Sequence, residues 1–168
     1  MKKLLLASII FFSVVPSQAQ FTKATLRATG LTCAMCSNAI NKALQKVSFV
    51  DSVRSDIKNS GFNIVFKPGM TVNIDLLKDA VEDAGFSIGS LKLTGDLTGV
   101  SVEKGTPVKL ASGNFIFLNT DKQVLAGEKT ITVVDKGFMT AKEFKKRGAA
   151  IKDVNIPAGS ERIYCITI

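Results

Sequence analysis

Histidine is absent from this chain of 168 residues. Its absence removes most familiar zinc, copper(II) and haem-iron sites, and with them the Ser-His and Cys-His pairs that activate nucleophiles. Tryptophan is absent too, and a single Tyr stands beside 11 Phe. The cations are spread along both halves, so the chain lacks the clustered aromatic-and-basic pattern of a nucleic-acid surface. The longest apolar stretch, Leu4 to Val15, is too short to span a bilayer. Acidic residues are scattered, with no paired-carboxylate pattern, no phosphate-binding glycine loop and no serine-centred elbow. These absences point away from an enzyme. Cysteine is scarce and odd in number, three in all, so at least one thiol is left over or pairs between chains.

What is present begins with an export signature. Lys2 and Lys3 form a basic start, Leu4 to Val15 an apolar stretch, and Ser17-Gln18-Ala19 a small-x-small cleavage site. Residues 1–19 are therefore expected to be a signal peptide, cleaved before Gln20, and the protein periplasmic or secreted. Without Lys2 and Lys3 the formal net charge falls from +8 to +6. A mildly basic surface is the plain reading of that balance. Export would place the cysteines where disulfides can form.

Two of the three cysteines lie in Gly30-Leu31-Thr32-Cys33-Ala34-Met35-Cys36. An alternating run, Phe21 to Ala28, precedes them and a helix-like run, Ser37 to Gln45, follows. The thiols are thus expected where a strand hands over to a helix. The unpaired N–H groups and positive dipole end of a helix favour anions and lower thiolate pKa values. Two thiolates this close make a two-point site for a soft cation. Copper(I) suits it best, because soft ligands select it, and mercury(II) would bind for the same reason. Zinc(II) wants about four ligands and would need carboxylates, a second molecule or a remote cysteine. A redox pair and a plain disulfide are the other readings of Cys33 and Cys36.

Gly-x-Thr-Cys-x-x-Cys at this place in the chain resembles the motif of the heavy-metal-associated domain. That family includes copper chaperones, the N-terminal modules of copper and zinc/cadmium P-type ATPases, and the periplasmic mercury-binding protein. The likeness covers about Phe21 to Thr94. It implies metal binding by Cys33 and Cys36 and either transfer to a partner such as a metal-transporting ATPase or cuproprotein, or simple sequestration. The family usually has Met two residues before the first Cys, where this chain has Leu31. Leu can pack beneath the loop in the same way.

The rest of this segment reads as Val50 to Ile57 and Phe62 to Phe66, two strands joined at Lys58-Asn59-Ser60-Gly61. A second helix follows, capped by Asn73 or Asp75, with Leu76, Leu77, Ala80, Val81 and Ala84 apolar and Gly85 as its stop. Phe86 to Leu93 is a fourth strand. Strand-helix-strand-strand-helix-strand is the ferredoxin-like unit, an antiparallel sheet with both helices on one face. That topology places Phe86 near Cys33 and Cys36. Family ATPase modules resemble this chain in carrying Phe there.

Turn-rich residues from Leu93 to Gly99 mark a boundary. The expected organisation is a signal at 1–19, a metal-binding domain at 20–94 and a small β-rich, OB-like domain at 95–168, so the fold class is α+β. In the last part strands are expected near 100–102, 106–110, 114–118, 130–134 and 162–168, with a helix at 141–147. Cys165 falls in the last strand, where a small buried hydrophobe is the plain reading and a third metal ligand or an intermolecular disulfide the sharper one. Met35 is a loop side chain or a third soft ligand. Gly30 supplies a special backbone conformation and Thr32 caps or orients the loop. Lys142, Lys145, Lys146 and Arg147 form a solvated helix face or dock an acidic partner or membrane surface.

The function this supports is an exported soft-metal carrier that captures Cu(I) through Cys33 and Cys36 and passes it on or sequesters it. A mercury(II) scavenger, an extracytoplasmic thiol-disulfide protein and an envelope protein with a vestigial metal loop are the alternatives. The chain is expected neither to span a membrane nor to bind nucleic acid.

Overall fold

In a computed structural model, residues 20–31, 33–152 and 162–168 are described. The expected signal peptide and the Thr32 reading lie outside these residues. Alternation of apolar and polar residues builds β1 (Gln20–Thr29), with Ala24, Leu26 and Ala28 buried. α1 (Ala34–Gln45) buries Ser37, Ile40 and Leu44, the three- and four-residue spacing of one helical face. β2 (Val50–Asp56) and β3 (Gly61–Phe66) form the expected hairpin. α2 (Ile74–Asp83) starts at Asn73, whose side chain accepts from the Asp75 N–H at 3.0 Å, and buries Ile74, Leu77 and Val81. β4 (Ser87–Asp96) returns antiparallel to β1.

The C-terminal part does not close an OB-like barrel. Its strands are β5 (Ser101–Val102), β6 (Pro107–Leu110), β7 (Gly113–Phe117), β8 (Gln123–Val124), β9 (Glu128–Val133) and β10 (Ile163–Thr167), with α3 (Ala141–Lys152) before β10. One open sheet of eight strands runs β2-β3-β1-β4-β9-β10-β7-β6, and β5 pairs with β8 apart from it. The join is β4 against β9, antiparallel from Leu91–Val133 to Asp96–Glu128. β10 runs parallel to β7, and the chain reaches it through β8, β9 and α3, the long crossover that parallel strands need.

The physical reason for the continuous sheet lies at Gly95. β4 runs through Thr94 and Asp96 instead of turning there, and a Cβ at Gly95 would sit 2.7 Å from Phe21 Cα. The glycine marks close backbone approach to β1, not a turn. β4 therefore keeps both edges paired, with β1 on one side and β9 on the other.

One core runs beneath both halves. Phe21 of β1 meets Phe115 of β7 edge-on at 5.8 Å, and Phe115 continues to Tyr164 at 5.6 Å. Each such pair adds about 0.5–1.5 kcal/mol beyond its burial. On the opposite face Ile116, Leu118, Val134, Met139 and Cys165 make a second cluster, covered by Phe144 and Ile151 of α3. Towards β1 that face turns polar, with Thr25 donating to Asn63 at 3.3 Å and Thr94 bonded to Thr130 at 2.8 Å.

The segment after β9 also grips α2. Tyr164 donates to Asp75 Oδ2 at 2.7 Å, and Arg162 Nε lies 3.2 Å from the same oxygen. Arg162 reaches Asp135 at 4.0 Å and stacks 5.0 Å from the Tyr164 ring centre. Burial and the neighbouring carboxylate hold the Tyr164 hydroxyl well above its ordinary pKa, so it stays a donor.

Candidate metal centre

The centre is assembled by three backbone events. β1 is held to β4 up to Thr29 opposite Ser87. Gly30 then adopts φ +80°, with open space where a Cβ would be, so the requirement is conformational, as the sequence suggested. Leu31 is half-buried and packs against the main core, as Met or Leu should at that position. The chain enters α1 one turn earlier than the helix-like run indicated, at Ala34.

That early start has a local cause. Cys33 itself is the N-cap, with φ −149° and ψ 160°, and its sulfur accepts the Cys36 N–H at 3.4 Å. Its carbonyl accepts the Ser37 N–H at 3.3 Å. Cysteine is not among the usual capping residues, so this start could not be read from propensity. Cys36 therefore lies in the first helical turn, not on a loop. That turn holds no acidic residue, so the positive helix end faces the two sulfurs unneutralised.

The sulfurs of Cys33 and Cys36 are 2.7 Å apart, and both thiols are free. Cys33 is exposed and Cys36 half-buried. The Cys36 thiol, followed by the Cys36 N–H, holds the Cys33 thiol below its ordinary pKa. Met35 points away into solvent, 83% exposed.

A cleft of about 280 Å³ opens beside Cys33, lined by Leu31, Ala34, Ser37, Ile57 and Ser60. Its far wall is the turn after β2, which sequence reasoning treated only as a hairpin connection. The turn is fixed to β1: Ala28 N–H donates to the Ser60 carbonyl at 3.2 Å and Arg27 Nε to the Asn59 carbonyl at 3.1 Å. Asp56 accepts the Asn59 N–H at 3.2 Å and the Asn59 side-chain amide at 2.7 Å, which hold its carboxyl below the usual range. Ser60 takes φ +50°, unusual for a residue with a Cβ, and Ile57 stands 68% exposed. An exposed isoleucine between turn residues was the available signal.

Phe86 is half-buried against the main core at the Thr29–Ser87 end of the sheet, and it does not line the cleft beside Cys33. Cys165 is elsewhere: it is 2% exposed within the α3-side cluster, and burial, with Asp135, pushes its thiol up to about 11. Among the described residues no group of three or more His, Cys, Asp or Glu side chains is placed to hold a metal ion. Lys142, Lys145, Lys146 and Arg147 are exposed on α3. Among the described residues no helix is long and apolar enough to cross a membrane.

The sequence pattern of the family described as "Heavy-metal-associated domain" matches residues 25–87, the segment that carries this geometry. The periplasmic component of the mercuric transport protein from Pseudomonas fluorescens is 34% identical over 86 residues, covering 51% of this chain and 93% of that protein. The chain belongs to the heavy-metal-associated domain family. The copper-transporting ATPase RAN1 of Arabidopsis thaliana is 40% identical over 58 residues, 34% of this chain. The chain spans about 6% of the length of that ATPase. Among solved structures, a CopZ metallochaperone shares 25% identity at a TM-score of 0.37, over 40% of this chain and 98% of that one. Oxidized MerP from Ralstonia metallidurans CH34 shares 29% at a TM-score of 0.35, over 39% and 93%. The family match thus covers the second half of β1, the thiol pair, the β2–β3 hairpin and both helices, and ends at Ser87, the first residue of β4.

Proposed function

We propose that this protein captures a soft metal ion, Cu(I) before others, between Cys33 and Cys36, and gives it up by ligand exchange. The observation that carries the reading is the placement of two free thiols, sulfurs 2.7 Å apart, on an α1 N-terminus that has no acidic residue in its first turn. The positive helix end favours the thiolate, and the thiolate is the form that binds metal.

An ion bound between the two sulfurs holds them about two metal–sulfur bond lengths apart, so capture spreads the pair beyond direct S···S contact. Cys33, exposed at the cap, is the sulfur free to swing, while Cys36 is held in the helix. Capture releases the thiol protons, so affinity rises with pH while either thiol still carries one. Release reverses the path. An incoming thiolate or thioether reaches the ion from the cleft at Cys33 and joins it before the departing sulfur leaves, so no free ion is lost. Zinc(II) fits poorly, since two sulfurs leave half of its shell to outside ligands.

Mercury(II) is the second reading. Its specific support is the mercuric periplasmic relative, which this chain matches over 93% of that protein's length. Both readings use the same two sulfurs. In either, residues 1–19 serve export to the periplasm or beyond, residues 20–94 form the metal-binding unit, and residues 95–168 form a docking or regulatory unit fixed to it through β4. A metal-transporting ATPase or a cuproprotein is the transfer partner in the copper reading, supported by the ATPase relatives.

The test is an anaerobic titration of the reduced protein with Cu(I), and separately Hg(II), against a chromogenic chelator. One ion per chain is expected, lost in Cys33→Ser/Cys36→Ser and kept in Cys165→Ser. Binding that survives the double substitution would overturn the assignment of the site. Preference for Hg(II) under matched competition would move the reading from copper to mercury.

A further inference from the structure

The helical face of the metal-binding unit carries charges that, among the described residues, find no partner on the facing helix. Lys42 and Lys46 stand one turn apart on and just after α1, and Asp79 and Asp83 one turn apart on α2, all four exposed. None of the ion pairs among the described residues crosses between the two helices. Asp79 contacts only its neighbour Lys78, at 3.2 Å. Between the two charged rows lies a cleft of about 730 Å³. Its floor is Ala39 and Ala43 from α1, and Ala80 and Ala84 from α2. Leu76 rims it, 43% exposed although its spacing suggested a core position. Small residues on a helix face allow another helix to approach closely.

We propose that this face binds a second copy of the same chain. The argument is self-complementarity. β3 runs antiparallel to β1, so α2, which follows β3, runs opposite to α1, which follows β1. Two limiting two-fold axes, one across and one along the helices, bring such a face against itself. An axis across the helices sets α1 on its own copy, Lys row against Lys row and Asp row against Asp row. An axis along the helices sets α1 on the other copy's α2, antiparallel, so that the Lys42–Lys46 row faces the Asp83–Asp79 row twice over. Of the two, the arrangement along the helices is the one the charges favour, and an isologous contact of that kind closes at two copies. The axis along the helices also leaves both Cys33–Cys36 ends pointing the same way and uncovered. Two helices of 12 and 10 residues offer a small contact, so the dimer is a weak and salt-sensitive one. This inference does not depend on which metal is bound.

The experiment is sedimentation equilibrium of the reduced, chelator-treated protein up to about 1 mM, the weak end of the affinity scale. Three samples are compared: wild type, Lys42→Glu/Lys46→Glu, and Asp79→Lys/Asp83→Lys. Circular dichroism checks that each folds, and Lys78 keeps Glu82 at 3.4 Å when Asp79 is changed. Wild type is expected to dimerise. Each reversed variant alone is expected to lose at least about tenfold in affinity, because like charges now face each other twice. An equimolar mixture of the two variants is expected to recover dimer, since each helix then meets an opposite row. A wild type that stays monomeric, reversed variants that dimerise like wild type, or a mixture that recovers nothing would each overturn the proposal.

Discussion

The grip of the C-terminal segment on α2 can be removed one atom at a time. Tyr164→Phe keeps the ring, its 6.0 Å edge contact with Phe138 and the Arg162 guanidinium above it, and deletes only the hydroxyl that donates to Asp75 at 2.7 Å. A hydrogen bond to a charged acceptor contributes about 1.5–3 kcal/mol. Asp75 remains 29% exposed and keeps Arg162 at 3.2 Å, so water and the guanidinium recover part of the loss. The other carboxylate oxygen, Oδ1, is buried with no hydrogen-bond partner among the described residues and gives no compensation. A net loss of about 1–2 kcal/mol is expected, which in a chain of this size lowers Tm by about 3–6 °C. The assay is urea and thermal unfolding of wild type, Tyr164→Phe, Asp75→Ala and the double variant, giving the coupling energy of the pair. One transition should shift as a whole, because β4 is shared by both halves. A coupling below about 0.3 kcal/mol, the usual limit of additivity for independent sites, would refute the clamp. So would two transitions of which only the later strands' one moves.

Further outcomes follow from the same contacts. Iodoacetamide should alkylate Cys33 in the native protein at a pH below the ordinary thiol range, and the rate should rise with pH as its proton leaves; peptide mass spectrometry reads this. Cys165, buried and raised to about 11, should react only after unfolding. Gly95→Ala forces a Cβ against the Gln20–Phe21 backbone and should cost at least about 2 kcal/mol in urea unfolding, near the upper end of overpacking penalties. Gly30→Ala meets open space and should cost about 1–2 kcal/mol through its φ of +80° alone, leaving the slope of the unfolding curve unchanged.

Local periodicity carried β1, β3 and the first two helices because each buries one face, while β2, with only Val50 buried, was legible from the turn that joins it to β3. Ile40 and Leu44 and then Ile74, Leu77 and Val81 follow helical spacing, and the burial observed follows them. The thiol pair was legible from its spacing and its place between a strand and a helix. What was not legible depends on distant backbone. Gly95 in Thr94-Gly95-Asp96 looks like a turn until β1 lies beside it. Two-residue strands such as β8 carry no period to detect. The wall opposite Cys33 comes from a hairpin turn distant in sequence, brought near by the pairing of β1 with β3 and by the Ala28–Ser60 and Arg27–Asn59 hydrogen bonds. The start of α1 depends on a cysteine acting as a cap, which no propensity scale favours. Leu76 shows the opposite failure: its spacing says core, yet it stands 43% exposed at the rim of the cleft between α1 and α2.

The central claim is that two sulfurs of this chain hold the metal, and X-ray absorption of the reduced, Cu(I)-loaded protein counts them directly. The account predicts a shell of two sulfur neighbours and no third, with the same spectrum in Cys165→Ser. A third sulfur that disappears in that variant, or a shell dominated by nitrogen and oxygen, would contradict it.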